Sequence, residues 1–225
     1  EPVPEIRKAM QMSPDEVGQL NKAAYGLIDA PFLWYKALVG ELTRLGLETS
    51  PFDPCVFILR GPKNTPKEGQ LLGVVGMHVD DGKYGGTPEF QQIMDKLEQK
   101  YAFGSKSSTA FTFTGIELTP KYDHSIVLSQ SAYIRKTQSI PIEAHRKTQH
   151  ELPVNETERG HLRGLIGSLQ YAATNTRPDL SSRLSLLQSE INHATIETLQ
   201  SANRLLHEAK RYHDVTITIK PIPTK

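Results

Sequence analysis

The segment Leu71–Gly86 reads LLGVVGMHVDDGKYGG and holds the clearest strand-and-turn pattern in the chain. Residues 71–79 are apolar and rich in valine, which predicts a buried β-strand. Glycines follow Asp80 and Asp81, and glycine-rich turns join adjacent antiparallel strands. We therefore expect the two aspartates to lie on the tight turn of a β-hairpin.

The sequence on either side alternates between strand and helix patterns. Cys55–Leu59 is a short β-rich segment that we expect to pair with residues 71–79. Apolar residues recur at helical spacing in Pro31–Leu45 and, more regularly, after the capping residue Thr87. Phe111–Leu118 alternates between apolar and polar residues, as a strand does. Mixed strands and helices followed by a helical region predict the α+β class.

The C-terminal part of the chain predicts a bundle of helices. Three amphipathic patterns occupy residues 157–212, and their junctions, Asn175–Pro178 and Asn192–Thr195, hold residues that end or cap helices. Residues 140–156 contain two prolines and no periodicity, which predicts a linker. A last β-rich segment follows at Val215–Ile219.

Composition excludes several classes of protein. Of the 225 residues, 37% are apolar, 23% are charged and only Cys55 is a cysteine. This composition is globular and lacks the cysteines of a disulfide framework or a cysteine-rich zinc module. The longest apolar run is far shorter than the ~20 residues of a membrane span, and the first residues lack a signal-peptide pattern. We expect an intracellular protein that has no membrane partner.

Two adjacent carboxylates at the end of an apolar strand suggest a site for a divalent metal ion, because buried carboxylates need a cation. Carboxylate oxygens suit Mg²⁺, which binds through one or two carboxylates together with substrate phosphates. The alternative is a polar turn, since Asp and Gly are common turn residues. The dipeptide alone leaves both interpretations of Asp80 and Asp81 open.

Positive charge is concentrated in the C-terminal part. Residues 131–225 contain 13 Lys and Arg against 9 Asp and Glu, whereas the whole chain has a net charge of +1. This part is expected either to meet phosphates or to carry scattered charges in solvent. Basic residues of its helical region include Arg163, Arg177, Arg183, Arg204, Lys210 and Arg211.

Other residues with the chemistry of a site have simpler interpretations. Trp34 and Tyr35 are interpreted as packing residues of a helix and not as platforms for base stacking. Arg177 precedes a proline and is expected either to cap a helix or to contact a phosphate. The eight histidines do not have the spacing of a zinc site.

Six short blocks of sequence carry a family resemblance. Those in the first part of the chain are Asn21–Leu27 with Ala30–Pro31 and Trp34–Tyr35, Ser50–Phe57, and His78–Asp81. Those that follow are Phe113–Glu117, Leu128–Gln130 with Tyr133–Ile134, and Gly167–Leu169 with Tyr171 and Thr176–Leu180. In this order they resemble the signature blocks of the reverse transcriptases of copia-type retrotransposons. His78–Asp81 takes the place of the YVDD box of that family.

The resemblance implies an architecture. The chain would be a partial right-handed polymerase, with a palm of antiparallel strands and helices followed by a helical thumb or connection segment. The implied ranges are 1–20 for a lead-in of partial fingers, 21–139 for partial fingers and palm, 140–156 for a linker, 157–214 for the helical segment, and 215–225 for the start of a strand on the ribonuclease H side.

The resemblance also implies roles for individual residues. Asp80 and Asp81 would be the catalytic carboxylates and would bind Mg²⁺ or Mn²⁺. Tyr25 and Gly26 would lie at the incoming nucleotide and the template. The block similar to the primer grip contains Phe113, Gly115 and Ile116.

The resemblance implies partners and a compartment as well. The implied partners are an RNA or DNA template with a DNA primer, dNTPs, and the remaining Pol domains, with integrase upstream and ribonuclease H downstream. The implied compartment is a cytoplasmic particle or the nucleus.

Several positions depart from the family pattern. The first metal-binding aspartate of the family lies in an upstream apolar motif that residues 1–20 do not contain. His78 stands where the family has tyrosine, and Asp29 adds a carboxylate near the expected nucleotide phosphates. These departures predict that the isolated chain does not synthesise DNA by itself. The alternative to a catalytic fragment is a non-catalytic nucleic-acid-binding or interaction module derived from such an element.

Overall fold

The computed structural model describes residues 8–9, 11–13, 16 and 26–221. The chain divides into two compact units, of which the first ends at Gly104 and the second begins at Ser105. Each unit contains a four-stranded antiparallel sheet and a hydrophobic core of its own. Helices and antiparallel strands are combined, as the sequence predicts.

The first unit consists of helices and a sheet of four strands. The strands follow chain order, and each is antiparallel to its neighbour. Helix α1 precedes the sheet and helix α2 follows it. The elements are α1 (Ala30–Arg44), β1 (Glu48–Thr49), β2 (Val56–Arg60), β3 (Leu71–His78), β4 (Asp81–Gly86) and α2 (Pro88–Tyr101).

One hydrophobic core joins α1 and α2 to this sheet. The register places Phe57 of β2 opposite Val75 of β3, and both side chains are buried. Phe90 of α2 is 1% exposed and lies over Gly73 and Gly86, which face each other across β3 and β4. A Cβ atom at Gly73 would lie 2.1 Å from the Phe90 ring, so the absence of a side chain there makes room for the ring.

The local sequence explains where the helices of this unit begin. Pro31 and Pro88 lie in the first turns of α1 and α2, where the helix does not use the backbone N–H that proline lacks. The side chain of Thr87 accepts a hydrogen bond from the N–H of Phe90 and so caps α2. Helix α2 ends at Tyr101, and the next residue, Ala102, caps it with a left-handed φ of 46°.

A buried carboxylate, Glu41 of α1, ties α1 to α2. It accepts hydrogen bonds from Nε and Nη2 of Arg44 at 3.0 and 2.5 Å, and from Nζ of Lys100 at 2.5 Å. The bonds from Arg44 and then Lys100 lower the pKa of Glu41 from its ordinary 4.5 to about 2. The carboxylate therefore stays ionised inside the unit at neutral pH.

We expect the first unit to lose stability as the pH falls from about 4.5 towards 2. A carboxyl whose pKa is lowered by folding stabilises the fold above its unfolded pKa, and this contribution disappears as the pH falls through the folded pKa. Trp34 is the single tryptophan of the chain and lies in α1, so its fluorescence during urea unfolding reports this unit. Glu41→Gln should flatten the pH dependence. Glu89→Gln removes a carboxylate whose pKa is also lowered to about 2 by its bond to Lys67, but that ion pair is exposed and screened by solvent. Its effect should therefore be smaller, and equal effects would contradict the prediction.

The second unit combines a sheet with a bundle of helices, and its strands are ordered β5-β6-β7-β8 with antiparallel neighbours. Its elements are β5 (Phe111–Phe113), β6 (Ile116–Pro120), β7 (Ile126–Ser129), α3 (Ser131–Lys136), α4 (Glu156–Asn175), α5 (Ser181–Glu190), α6 (Ile196–Arg211) and β8 (Ile217–Ile219). Single 3₁₀ turns join the last three helices, at Pro178–Leu180 and Ile191–His193.

Helices α4, α5 and α6 pack on one another, which confirms the three helices predicted in residues 157–212. Leu162, Leu184 and Leu199 are 0% exposed and belong to one core. Helix α4 begins with a capping box of Asn155 and Glu158. The junctions between the helices fall at the two predicted places.

The segment expected to be a linker and the last strand both belong to the second unit. Before Glu156, residues 140–155 form neither helix nor strand, apart from a bridge from Pro153 to Thr195. Ile140 and Val154, near the ends of the segment, are nevertheless buried in the second core. Strand β8 pairs with β7 and forms the edge of the second sheet. Within the described part of the chain, no helix is both long and apolar enough to cross a membrane.

Candidate active site

The two aspartates lie at the tip of the β3–β4 hairpin, where the sequence predicts them. His78 pairs with Asp81, so Val79 and Asp80 are the two central residues of the turn. Asp81 begins β4 immediately afterwards. Of the two central residues only Val79 has a positive φ, 57°. This is the pattern of a type II′ turn, whose first central position favours glycine.

Val79 is an unfavourable residue for this position because its side chain branches at Cβ. The side chain is 65% exposed, so its own burial does not offset the strain. The Val79 carbonyl oxygen accepts a hydrogen bond from Nε1 of Trp34 at 2.9 Å. Trp34, on α1, also packs edge-on against Tyr101 of α2, with ring centroids 5.1 Å apart. The turn is therefore held by a side chain from α1.

The carboxylates of Asp80 and Asp81 are exposed to solvent. The expectation that these two carboxylates are buried is therefore wrong, because the burial of β3 does not extend to the turn. Two adjacent oxygen donors still fit the way in which Mg²⁺ binds, through one or two carboxylates and substrate phosphates. Among the residues that the structure describes, no three His, Cys, Asp or Glu side chains form a group able to hold a metal ion. The two carboxylates of the hairpin do not by themselves form such a group.

The residues assigned to the primer grip form a second hairpin turn, which lies in the second unit. Phe113 pairs with Ile116, so Thr114 and Gly115 are the central residues. Both have positive φ, 50° and 79°, which is the pattern of a type I′ turn. Thr114, like Val79, branches at Cβ. Its carbonyl oxygen accepts a hydrogen bond from the hydroxyl of Tyr171 on α4.

Of the residues assigned to the nucleotide and template, Tyr25 lies outside the described residues. Gly26 has a φ of 91°, a conformation that favours glycine. No atom would lie within 4 Å of a Cβ at this position. Close to it, Ile28 is 98% exposed and Phe32 is 62% exposed. The backbone conformation accounts for the glycine at position 26 without a ligand.

The side chain of Arg177 is not accessible to a phosphate of a bound nucleic acid, because it is buried at 1% exposure. Nε and Nη2 donate to the two carboxylate oxygens of Asp179 at 2.9 and 2.8 Å, and Nη1 donates to the carbonyl of Ala209 at 3.2 Å. The bond to Arg177 lowers the pKa of Asp179. The sequence leaves two roles open for Arg177, a helix cap or a contact with a phosphate. The structure shows the cap, because Arg177 binds a carbonyl oxygen at the end of α6.

Two other basic residues of the helical region are paired on the surface. The ion pairs are Arg183 with Glu208 at 2.7 Å and Arg204 with Glu197 at 2.5 Å. Exposed pairs of this kind are weak and can be exchanged for a phosphate. Among the six basic residues, burial therefore excludes Arg177 alone from contact with a nucleic acid.

The sequence does not predict the hydrogen bonds that Trp34 and Tyr171 donate to the two turns. Trp34 is half-buried and packs on its neighbours, as predicted, and the hydroxyl of Tyr35 donates to the carbonyl of Pro54 at 3.0 Å. The bond from Trp34 joins residues 45 positions apart and that from Tyr171 joins residues 57 apart. No local pattern reveals contacts of that range.

Comparison with known proteins finds relatives of one kind. The chain is 29% identical over 206 residues to the "Retrovirus-related Pol polyprotein from transposon RE1" of Arabidopsis thaliana, an alignment that covers 86% of this chain and 13% of that protein. The corresponding RE2 polyprotein of the same plant is also 29% identical, with 86% and 14% covered. The "Putative transposon Ty5-1 protein YCL074W" of Saccharomyces cerevisiae is 25% identical over 209 residues, with 87% and 65% covered. No protein-family model matches the chain, and no solved structure matches it significantly.

The relatives confirm the resemblance to retrotransposons at the level of the Pol polyprotein. Most of the chain is matched in each of them. The chain spans only about 13 to 14% of the length of the two plant polyproteins. It is therefore similar to a small part of a transposon polyprotein.

Proposed function

We propose that the chain is the palm and thumb part of a copia-type reverse transcriptase and contributes to RNA-directed DNA synthesis by metal-assisted phosphoryl transfer. The observation that carries this proposal is the position of Asp80 and Asp81, two exposed carboxylates at the tip of a two-residue hairpin turn. The similarity of most of the chain to retrotransposon Pol polyproteins supports it from the sequence.

In this proposal Asp80 and Asp81 hold Mg²⁺ or Mn²⁺ together with the phosphates of a dNTP. An ion held there would supply positive charge that stabilises the transferring phosphate and favours the ionised primer hydroxyl. The contribution of the chain is geometric, since the turn carries Asp80 beyond the ends of β3 and β4 and leaves both carboxylates open to solvent. Preorganised charge of this kind supplies most of the catalysis of phosphoryl transfer.

The second hairpin has a separate role in the proposal. Phe113, Gly115 and Ile116 surround a tight turn whose backbone is able to approach the end of a primer closely, because Gly115 has no side chain. The remaining partners are the RNA or DNA template, the DNA primer and the other Pol domains.

The test is whether Asp80 and Asp81 bind Mn²⁺ in the 225-residue chain. Mn²⁺ is paramagnetic and broadens the NMR signals of nearby amides, so a titration locates the bound ion. We expect the strongest broadening at residues 78–82. Asp80→Asn should weaken binding by about tenfold or more, because it removes one of two charged oxygen ligands.

Asp123 provides the control in the same sample. It is a single exposed aspartate in the turn between β6 and β7, and hydrogen bonds from Ser125 lower its pKa. The amides near Asp123 should broaden much less than those near Asp80. Equal broadening at both turns, or broadening that Asp80→Asn leaves unchanged, would contradict the proposal and favour a non-catalytic nucleic-acid-binding module.

A further inference from the structure

The backbone of the Val79–Asp80 turn is strained, and the strain falls next to the proposed metal ligand. A β-branched residue with a φ of 57° is uncommon and persists only where its surroundings impose it. Packing of the Val79 side chain does not impose this conformation, because the residue is 65% exposed. Another group must therefore stabilise this conformation.

The indole of Trp34 is placed to do so. Its Nε1 donates to the Val79 carbonyl oxygen at 2.9 Å. That oxygen belongs to the peptide group that links Val79 to Asp80, so this bond restrains the orientation of the peptide that carries Asp80. Asp80 itself is exposed on this turn.

Trp34 is itself held in place by the two helices. The ring packs edge-on against Tyr101 of α2, with centroids 5.1 Å apart. The Tyr101 hydroxyl donates in turn to the carbonyl of Ala37 on α1, at 3.2 Å. A donor restrained in this way loses little freedom when it makes its hydrogen bond, which is the condition for preorganising a site.

The second unit contains the same arrangement independently. Thr114, branched at Cβ and with a φ of 50°, occupies the first central position of the β5–β6 turn. Its carbonyl accepts a hydrogen bond from Tyr171, whose ring packs edge-on against Tyr133 with centroids 5.4 Å apart. In both turns an aromatic donor from a helix binds the carbonyl of the strained residue.

We propose that Trp34 is a positioning residue that holds the Val79–Asp80 peptide in its left-handed turn, so that the carboxylate of Asp80 is preorganised for a divalent cation. The cation-binding half of this inference rests on the proposed function, and the conformational half does not. Trp34→Phe keeps an aromatic ring against Tyr101 but removes the N–H donor. It should therefore loosen the turn without removing the packing.

The first measurements need no metal. A residue with positive φ gives a strong cross-peak between its own N–H and Hα protons, and we expect this peak at Val79 in the wild type and its loss in Trp34→Phe. The wild-type indole gives the single indole N–H signal of the chain, which should exchange slowly with solvent. Fast exchange, as in an exposed indole, would overturn the proposal even if the variant failed to fold.

The second measurement is Mn²⁺ affinity. Loss of one hydrogen bond to the turn should raise the dissociation constant about three- to tenfold. Val79→Gly should remove the dependence on Trp34, because glycine adopts a positive φ without strain, so Trp34→Phe should change the affinity less than about twofold in that background. Tyr35→Phe is the matched control, since it removes a hydrogen bond from the same helix to Pro54 and should leave the turn unchanged.

The outcomes separate the two proposals. If Trp34→Phe and Tyr35→Phe leave the Val79 cross-peak equally strong, Trp34 does not position the turn and the inference fails. If the wild type does not bind Mn²⁺ at Asp80, the proposed function fails, while the Val79 cross-peak still decides whether Trp34 holds the turn. Loss of the cross-peak together with weaker Mn²⁺ binding in Trp34→Phe alone supports both.

Discussion

Gly73→Ala is expected to destabilise the first unit by about 3 kcal/mol, at the upper end of the usual cost of overpacking a core. The new Cβ would lie 2.1 Å from Cγ of Phe90, whose ring is 1% exposed. The ring also lies close to Gly86 on the neighbouring strand, where a Cβ would be 2.5 Å away. Because the ring fills the space over both glycines, either the ring or the sheet must move. Urea unfolding followed by the fluorescence of Trp34 measures the loss.

Gly85→Ala is the matched control for this variant. Gly85 lies beside Gly86 in the same strand, and a Cβ there would have no neighbour within 4 Å. We expect its stability to change by less than about 0.5 kcal/mol. Replacing Phe90 with leucine should also reduce the cost of Gly73→Ala, because the two positions are in contact. If the two glycine variants are equally stable, the packing of Phe90 does not require a glycine at position 73, and the prediction is wrong.

The sequence predicts this fold best where the chemistry is local. The apolar run before Asp80 and the glycines after Asp81 are sufficient to predict the hairpin, and the spacing of apolar residues is sufficient for α2. The importance of Gly73 is not predictable in this way. It depends on which residue of α2 lies over β3, and that contact forms only when the helix packs on the sheet.

In the candidate site, too, the sequence predicts local features but not the contacts that form when the elements pack. The position of Asp80 and Asp81 follows from the strand pattern, but their exposure does not, because burial of a strand gives no information on how far its turn extends into solvent. The hydrogen bond from Trp34 is invisible in the sequence, since periodicity assigns that residue to a packing face and cannot tell which atom its N–H meets. Arg177 has the charge of a phosphate ligand, and only the packing of the helices reveals that it is buried.

Arg177→Met is expected to destabilise the second unit by about 3 kcal/mol. Methionine keeps much of the length and apolar volume but loses the bonds to Asp179 and to the carbonyl of Ala209. Removal of one partner of a buried ion pair costs about 3–5 kcal/mol, and the end of α6 loses a donor for its carbonyl. The side chain of Asp179 is 47% exposed and regains water, which keeps the cost near the lower limit. Urea unfolding followed by far-UV circular dichroism measures the loss.

Arg183→Met is the control that distinguishes the buried cap formed by Arg177 from an exposed charge on the surface. Arg183 also binds the last turns of α6, through Glu208, but its side chain is 48% exposed, so its loss should cost at most about 1 kcal/mol. The two variants should also differ at Asp179, whose pKa is held low chiefly by its hydrogen bond to Arg177. That pKa should rise further in Arg177→Met than in Arg183→Met, as an NMR titration would measure. Equal losses of stability in the two variants would mean that Arg177 acts as one surface cation among several, and it would then again be a candidate for contact with the phosphates of a nucleic acid.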